Sequence, residues 1–133
     1  MKKKNNNIIR TIFVIIILII LITTGVLLKS QSDLKKLTNV EIKNIELSGI
    51  DDGEYKGSYK AFPINAEVLV TIKDDAINDI KIIKHINGQG SDAEKITESI
   101  LKSQSLDVDV VSGATYSSKV IIKAVEDALE KGE

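Results

Sequence analysis

The hydrophobic pattern changes character three times along the chain. From Thr11 to Leu28 it is continuous, eighteen uncharged and almost wholly apolar residues dominated by Ile and Leu. At about 1.5 Å per residue, a helix of that length covers about 27 Å, close to a hydrocarbon core of roughly 30 Å. Isoleucine is an indifferent helix former in water. Within lipid every backbone N–H must bond internally, and the helix is the form that achieves this. Ile8 and Ile9 lengthen the run if Arg10 snorkels to the interface. The pattern predicts one transmembrane helix over 11–28. Residues 29–47 that follow are polar and rich in Lys and Glu, and read as a stalk or linker leading into a first strand. The domain proper spans 48–133.

From Asn65 to Ile86 the period is two. Val68, Val70 and Ile72 share one face; beyond a turn at Asp74-Asp75-Ala76, Ile80 and Ile82 form the facing set, with Asn78 and Lys84 at its margins. This is a β-hairpin with one buried side. Ala76 tolerates positive φ poorly, so the turn is expected to differ from the Asp-Gly type. Tyr55 to Phe62 is a neighbouring strand, Pro63 suits its end, and Asp51-Asp52-Gly53 marks a turn before it.

The period then becomes helical. Ser91 and Glu94 have the spacing of a capping box, and Ala93, Ile96, Thr97, Ile100 and Leu101 form an apolar stripe. A last helix starts near Ser117. It carries Val120, Ile121, Ala124, Val125, Ala128 and Leu129 on one face and Lys119, Lys123, Glu126, Asp127 and Glu130 on the other. A small antiparallel sheet covered by two helices is an α+β domain.

Charge adds an orientation. The first 29 residues hold five basic side chains and no acid, whereas the remainder holds 13 Lys against all 19 acids, a net −6. Three Lys before the apolar run and only Lys29 after it place residues 1–10 in the cytoplasm and the domain outside. A cleaved signal peptide is the alternative. Its apolar stretch is usually about 7–15 residues with a small-x-small site, for which Ser30-Gln31-Ser32 is a weak substitute. Both readings put the domain on the outer face of a membrane. An acidic domain is a poor partner for nucleic acid. With no Cys and one His, thiol catalysis, disulfides and Cys-ligated metals are excluded, and an imidazole-based metal site is disfavoured.

The stretch with most chemical content is Asp109-Val110-Val111-Ser112-Gly113-Ala114-Thr115-Tyr116-Ser117-Ser118. Small residues at 113 and 114 let backbone N–H groups approach an anion, and the helix that opens there adds positive partial charge. Alternatively, Thr115 or Ser117 simply caps the helix. Gly88 and Gly90 before the preceding helix could bring backbone close to a ligand, or form an ordinary turn. His85 at the strand end reads as structural or solvated. Tyr55, Tyr59 and Tyr116 could stack on an aromatic ligand or fill the core.

Asp109-Val110-Val111-Ser112-Gly113-Ala114-Thr115 resembles the flavinylation motif Asp-x-x-Ser/Thr-Gly-Ala-Ser/Thr of the FMN-binding domain family. Asp52-Gly53-Glu54-Tyr55-Lys56-Gly57 is similar to that family's opening Asp-Gly-x-Tyr-x-Gly, and Gln104 to Asp109 lead into the motif as in its small members. The likeness covers about Asp51 to Leu129. It implies FMN joined by an FMN transferase through its phosphate to Thr115, with Ser112, Gly113, Ala114, Gly88 and Gly90 around it and Asp109 read by the transferase. It also implies an extracytoplasmic electron carrier, supplied by a membrane donor, passing electrons to an external acceptor and anchored in lipid by residues 11–28. The residues show no substrate pocket, catalytic group or metal set, which reads as a carrier or redox subunit more than a self-contained enzyme. The other classes the sequence admits are a domain that binds or senses FMN without a covalent bond and a cofactor-free, membrane-anchored interaction domain.

Overall fold

The computed structural model describes residues 2–86 and 90–132, with side chains from residue 7 onward. The chain forms two compact units, residues 1–32 and 33–133. The first is helical. Helix α1, Lys2–Thr38, begins in it and ends in the second unit, so the helix predicted over 11–28 is longer at both ends. The large apolar side chains from Ile8 to Leu28 are exposed along the helix, and α1 is long and apolar enough to cross a membrane. The threonines of the apolar stretch bond back to the helix, with Thr11 Oγ1 donating to Asn7 O and Thr24 Oγ1 to Ile20 O. That is how hydroxyls are accommodated in lipid.

The second unit is α+β. Strands β1 (Gly53–Ala61), β2 (Ile64–Lys73) and β3 (Ala76–Ile86) form an antiparallel sheet in the order β1-β2-β3. Pro63 lies in the turn between β1 and β2, after a cis Phe62–Pro63 peptide. The β2–β3 turn has positive φ at both Asp74 and Asp75, as a type I′ hairpin turn requires. The strained positions therefore lie one residue earlier than expected and Ala76 is spared them. The Asp52 carboxylate accepts the Asp74 N–H at 2.8 Å and holds the turn.

The strict alternation expected for β3 is broken twice. The register with β2 slips between Ile77 and Asp79 and again between Ile82 and Lys84, as β-bulges do. Each extra residue reverses the phase. The inward set is Ile77, Ile80, Ile82 and His85 in place of Ile80 and Ile82 flanked by Asn78 and Lys84. Asn78 and Lys84 are exposed.

A 3₁₀ helix, Ser91–Lys95, leads into α2, Ile96–Ser103, which packs on β3, and α3, Thr115–Glu130, crosses β1 and β2. The capping box is not formed, because no side chain caps either segment and the Glu94 carboxylate turns to His85 instead. At the crossing of α3 and β1 the backbones nearly touch. A Cβ on Gly57 would lie 2.0 Å from Ala124 O and 2.5 Å from Ala128 N, so only glycine fits there.

The second face of α3 is not the solvated one its charges suggested. Ile122 and Glu126 are buried. Residues 33–47, part of the stalk expected over 29–47, pack on the same core: Leu37 is 1% exposed, and Leu34, Val40, Ile42, Ile45 and Leu47 lie against it. Lys119 Nζ donates to Thr38 O at 2.7 Å, Lys123 Nζ reaches Glu41 O at 3.5 Å, and Lys43 pairs with Glu130 at 3.8 Å. Lysines along α3 thus hold the strap's carbonyls.

Candidate functional site

Residues Val111 to Ala114 form a β-turn closed by the Ala114 N–H donating to Val111 O at 3.0 Å. Gly113, at its third position, has φ +79°, the value that defines a type II turn and favours glycine. A Cβ there would meet nothing within 4 Å. Within the protein, glycine is required by backbone conformation and not by space. The Ala114 N–H is also unavailable to an anion, since the turn uses it; in this the expectation for Ala114 is corrected.

Ala114 instead serves as the cap of α3, its carbonyl accepting the Ser118 N–H at 2.9 Å. No side chain caps the helix, so the Thr115 or Ser117 cap considered from the sequence is not made. Helix geometry leaves the N–H groups of Thr115, Tyr116 and Ser117 without intrahelical acceptors. The first turn carries no acid that would compete for them. A residue the motif reading passed over fixes this geometry. Ser118 is buried, and its Oγ accepts the Val111 N–H at 3.1 Å, stitching the turn to the helix it precedes. The signal for it was helical spacing: Ser118 lies three, four and seven residues before the apolar Ile121, Ile122 and Val125, on the inward face of the helix.

The helix start opens into a recess of about 140 Å³ lined by Ile64, Gly90 and the run Gly113 to Ser117. Gly90 and Thr115 are therefore brought together across 25 residues of sequence, as are Gly113 and Ala114. Thr115 is exposed, its hydroxyl at the first helical position. Ser112 is exposed in the turn and does not line the recess. Asp109 is exposed in a separate recess of about 490 Å³ with Lys102, Ser99, Ser103, Asp107 and Val108. Gly88 lies outside the described residues.

The Gly90 wall is secured from behind. The Ala93 N–H donates to Gly90 O at 3.0 Å, and the His85 Nδ1 lies 3.0 Å from Glu94 Oε1, joining the end of β3 to the 3₁₀ helix. The second bulge makes this contact possible, because it turns the His85 side chain inward to 1% exposure. His85 is thus structural, as its position suggested.

N–H donors that no described residue accepts, the positive end of a sixteen-residue helix and an exposed hydroxyl define a domain suited to a phosphate-bearing cofactor. The model of the FMN-binding domain family matches residues 63–130, just over half the chain, and the chain belongs to that family. It is also similar to a protein named NADH:acrylate oxidoreductase from Vibrio harveyi, at 35% identity over 100 residues, 73% of this chain and 9% of that protein. A Treponema pallidum protein without an assigned function is 29% identical over 100 residues, 73% of this chain and 28% of its own length. The chain spans less than a third of either relative. FMN fits the residues present: its phosphate matches the acid-free helix start, and the recess offers apolar and backbone walls beside it.

Proposed function

We propose that this protein is a membrane-anchored flavoprotein that holds FMN by a phosphoester to Thr115 and relays electrons on the outer side of the membrane. The observation that carries the reading is the placement of Thr115. Its hydroxyl is exposed at an uncapped, acid-free helix start, within a seven-residue motif that the family uses for attachment. Phosphate oxygens on that hydroxyl would face the N–H groups of the first turn, where an anion is stabilised.

Attachment requires an FMN transferase and a flavin phosphoanhydride as donor. Thr115 Oγ1 forms the new bond to the flavin-side phosphorus as the anhydride bond breaks, the other half of the donor leaves as a phosphate monoester, and the hydroxyl proton passes to a base of the transferase. Asp109 stands in a recess apart from Thr115, open to a second protein. We assign it to recognition by the transferase. FMN when bound supplies one- and two-electron chemistry, and the protein supplies attachment, orientation and electrostatics. The oxidoreductase name of the Vibrio relative points to the same redox use.

The membrane reading rests on α1 and the basic flank before it. With the N-terminus inside, the domain receives electrons from a membrane donor and passes them to an extracytoplasmic acceptor. The test is intact mass and peptide mapping of protein produced together with an FMN transferase. The wild type should gain one FMN on the peptide containing Thr115. Thr115→Ser should keep part of the modification. Thr115→Ala should gain none while its circular dichroism stays unchanged, because Thr115 makes no capping bond to lose. Full modification of the Ala variant would sink the assignment.

A further inference from the structure

The recess beside Thr115 measures about 140 Å³, whereas pockets that enclose drug-sized ligands are roughly 300–1,000 Å³. A molecule the size of FMN therefore fits only in part. The phosphate end belongs at the helix start, so the three-ring isoalloxazine must lie beyond the recess, on the surface around it. Large exposed apolar side chains are scarce there. Among the described residues of the second unit they are Ile83, Ile86 and Tyr116. Ile86 pairs with Asn65 across the sheet, on the face opposite to the inward Ala66 and His85. Ile83 is the extra residue of a bulge. Tyr116 alone lines the recess. It is 42% exposed and directly follows the attachment residue.

We infer that Tyr116 is the platform on which the isoalloxazine of the tethered flavin stacks, a positioning residue that holds the ring against the protein. The inference rests on attachment at Thr115. Tyr55 and Tyr59 pack on the core and Tyr116 does not, so packing does not explain an aromatic side chain at this position, and a planar apolar ring is what an aromatic face takes. Stacking leaves the other side of the flavin open to solvent, which suits exchange of electrons with a protein partner.

The test uses full-length protein flavinylated by the transferase, as wild type and as Tyr116→Ala, Tyr116→Phe and Tyr116→Trp. Intact mass reports the tether, flavin fluorescence reports contact with the side chain, and visible circular dichroism reports ring immobilisation. Tyrosine and tryptophan quench flavin emission by donating an electron to the excited ring, and phenylalanine does not. Emission per attached FMN should rise several-fold in Tyr116→Ala and Tyr116→Phe and stay low in Tyr116→Trp. The visible dichroism should collapse only in Tyr116→Ala. If Tyr116→Ala is modified poorly, the Phe and Trp pair decides the matter by the same readout. Emission and dichroism unchanged across modified variants would overturn the Tyr116 assignment alone. A wild type lacking the FMN mass would overturn the tether, and this placement with it.

Discussion

The two ends of α3 obey opposite rules. From Val120 to Leu129 the helix is buried on nearly every side: the sheet takes one face and the strap of residues 33–47 takes the other. Its charged side chains there are paired, although Glu126 Oε2 is left without a hydrogen bond. Lys123 pairs with Glu126 at 2.6 Å, and Asp127 accepts the Ser58 N–H at 2.8 Å and pairs with Lys131 at 2.7 Å. At Thr115 and Tyr116 the same helix is exposed, uncapped and free of acids. One end is all structure, and that rigidity is what lets the other end be left open. A helix start without a side-chain cap is unfavourable unless the rest of the helix is held firmly.

That contrast can be broken most severely at Gly57. Gly57→Ala places a methyl against the backbone of α3 at 2.0 Å. Overpacking ordinarily costs about 1–3 kcal/mol, and a clash with backbone on a buried helix should exceed that, at about 4 kcal/mol or more. Urea denaturation should show it, and FMN attachment should fall in step with the folded fraction.

Next in size is Lys123→Met, which strands the Glu126 carboxylate, 2% exposed in its side chain. Breaking a buried pair from one side costs about 3–5 kcal/mol, and the partial exposure of Lys123 argues for the lower end. Adding Glu126→Leu should recover most of the loss, because Glu126 Oε2 has no partner to forfeit. A double variant no more stable than the single one would show that the pair contributes by packing and not by charge.

At the open end the effects are smaller. Gly113→Ala keeps ample space but imposes the left-handed conformation on a residue with a Cβ, at about 1–2 kcal/mol. Gly113→Asn should lose less, since Asn accepts that position of a type II turn. Equal losses would point to crowding instead of conformation.

The smallest effect is a pH dependence at Asp127. Burial pushes its carboxyl up, but the hydrogen bonds from Lys131 and the Ser58 N–H and the charges of Lys131 and Lys123 outweigh this. The net result is a value below the ordinary 3.8. A depressed carboxyl stabilises the fold fully above its unfolded pKa and loses that contribution as pH falls through the folded one. Below about pH 4, wild type should therefore lose slightly more stability than Asp127→Asn, by well under about 1 kcal/mol for so exposed a pair.

Periodicity determined a good part of this protein by itself. The apolar run of α1, the three strands and the inward face of α3 were legible because each follows from local pattern, and the seven-residue motif ends in the turn and helix start that line the recess. The sequence did not show where the patterns would be interrupted. Two bulges in β3 are choices between registers that differ by one residue, decided by which side chains meet β2, and they are what turns His85 inward to support the Gly90 wall. The second face of α3 meets a strap some 80 positions earlier, held by Lys119 and Lys123, whose irregular apolar spacing has no period to read. The bare helix start at Thr115 was likewise a tertiary outcome: Ser118 Oγ went to the Val111 N–H, and no other side chain took its place as a cap. Local propensity selects elements, but which donors and faces remain open depends on what the rest of the chain brings within reach.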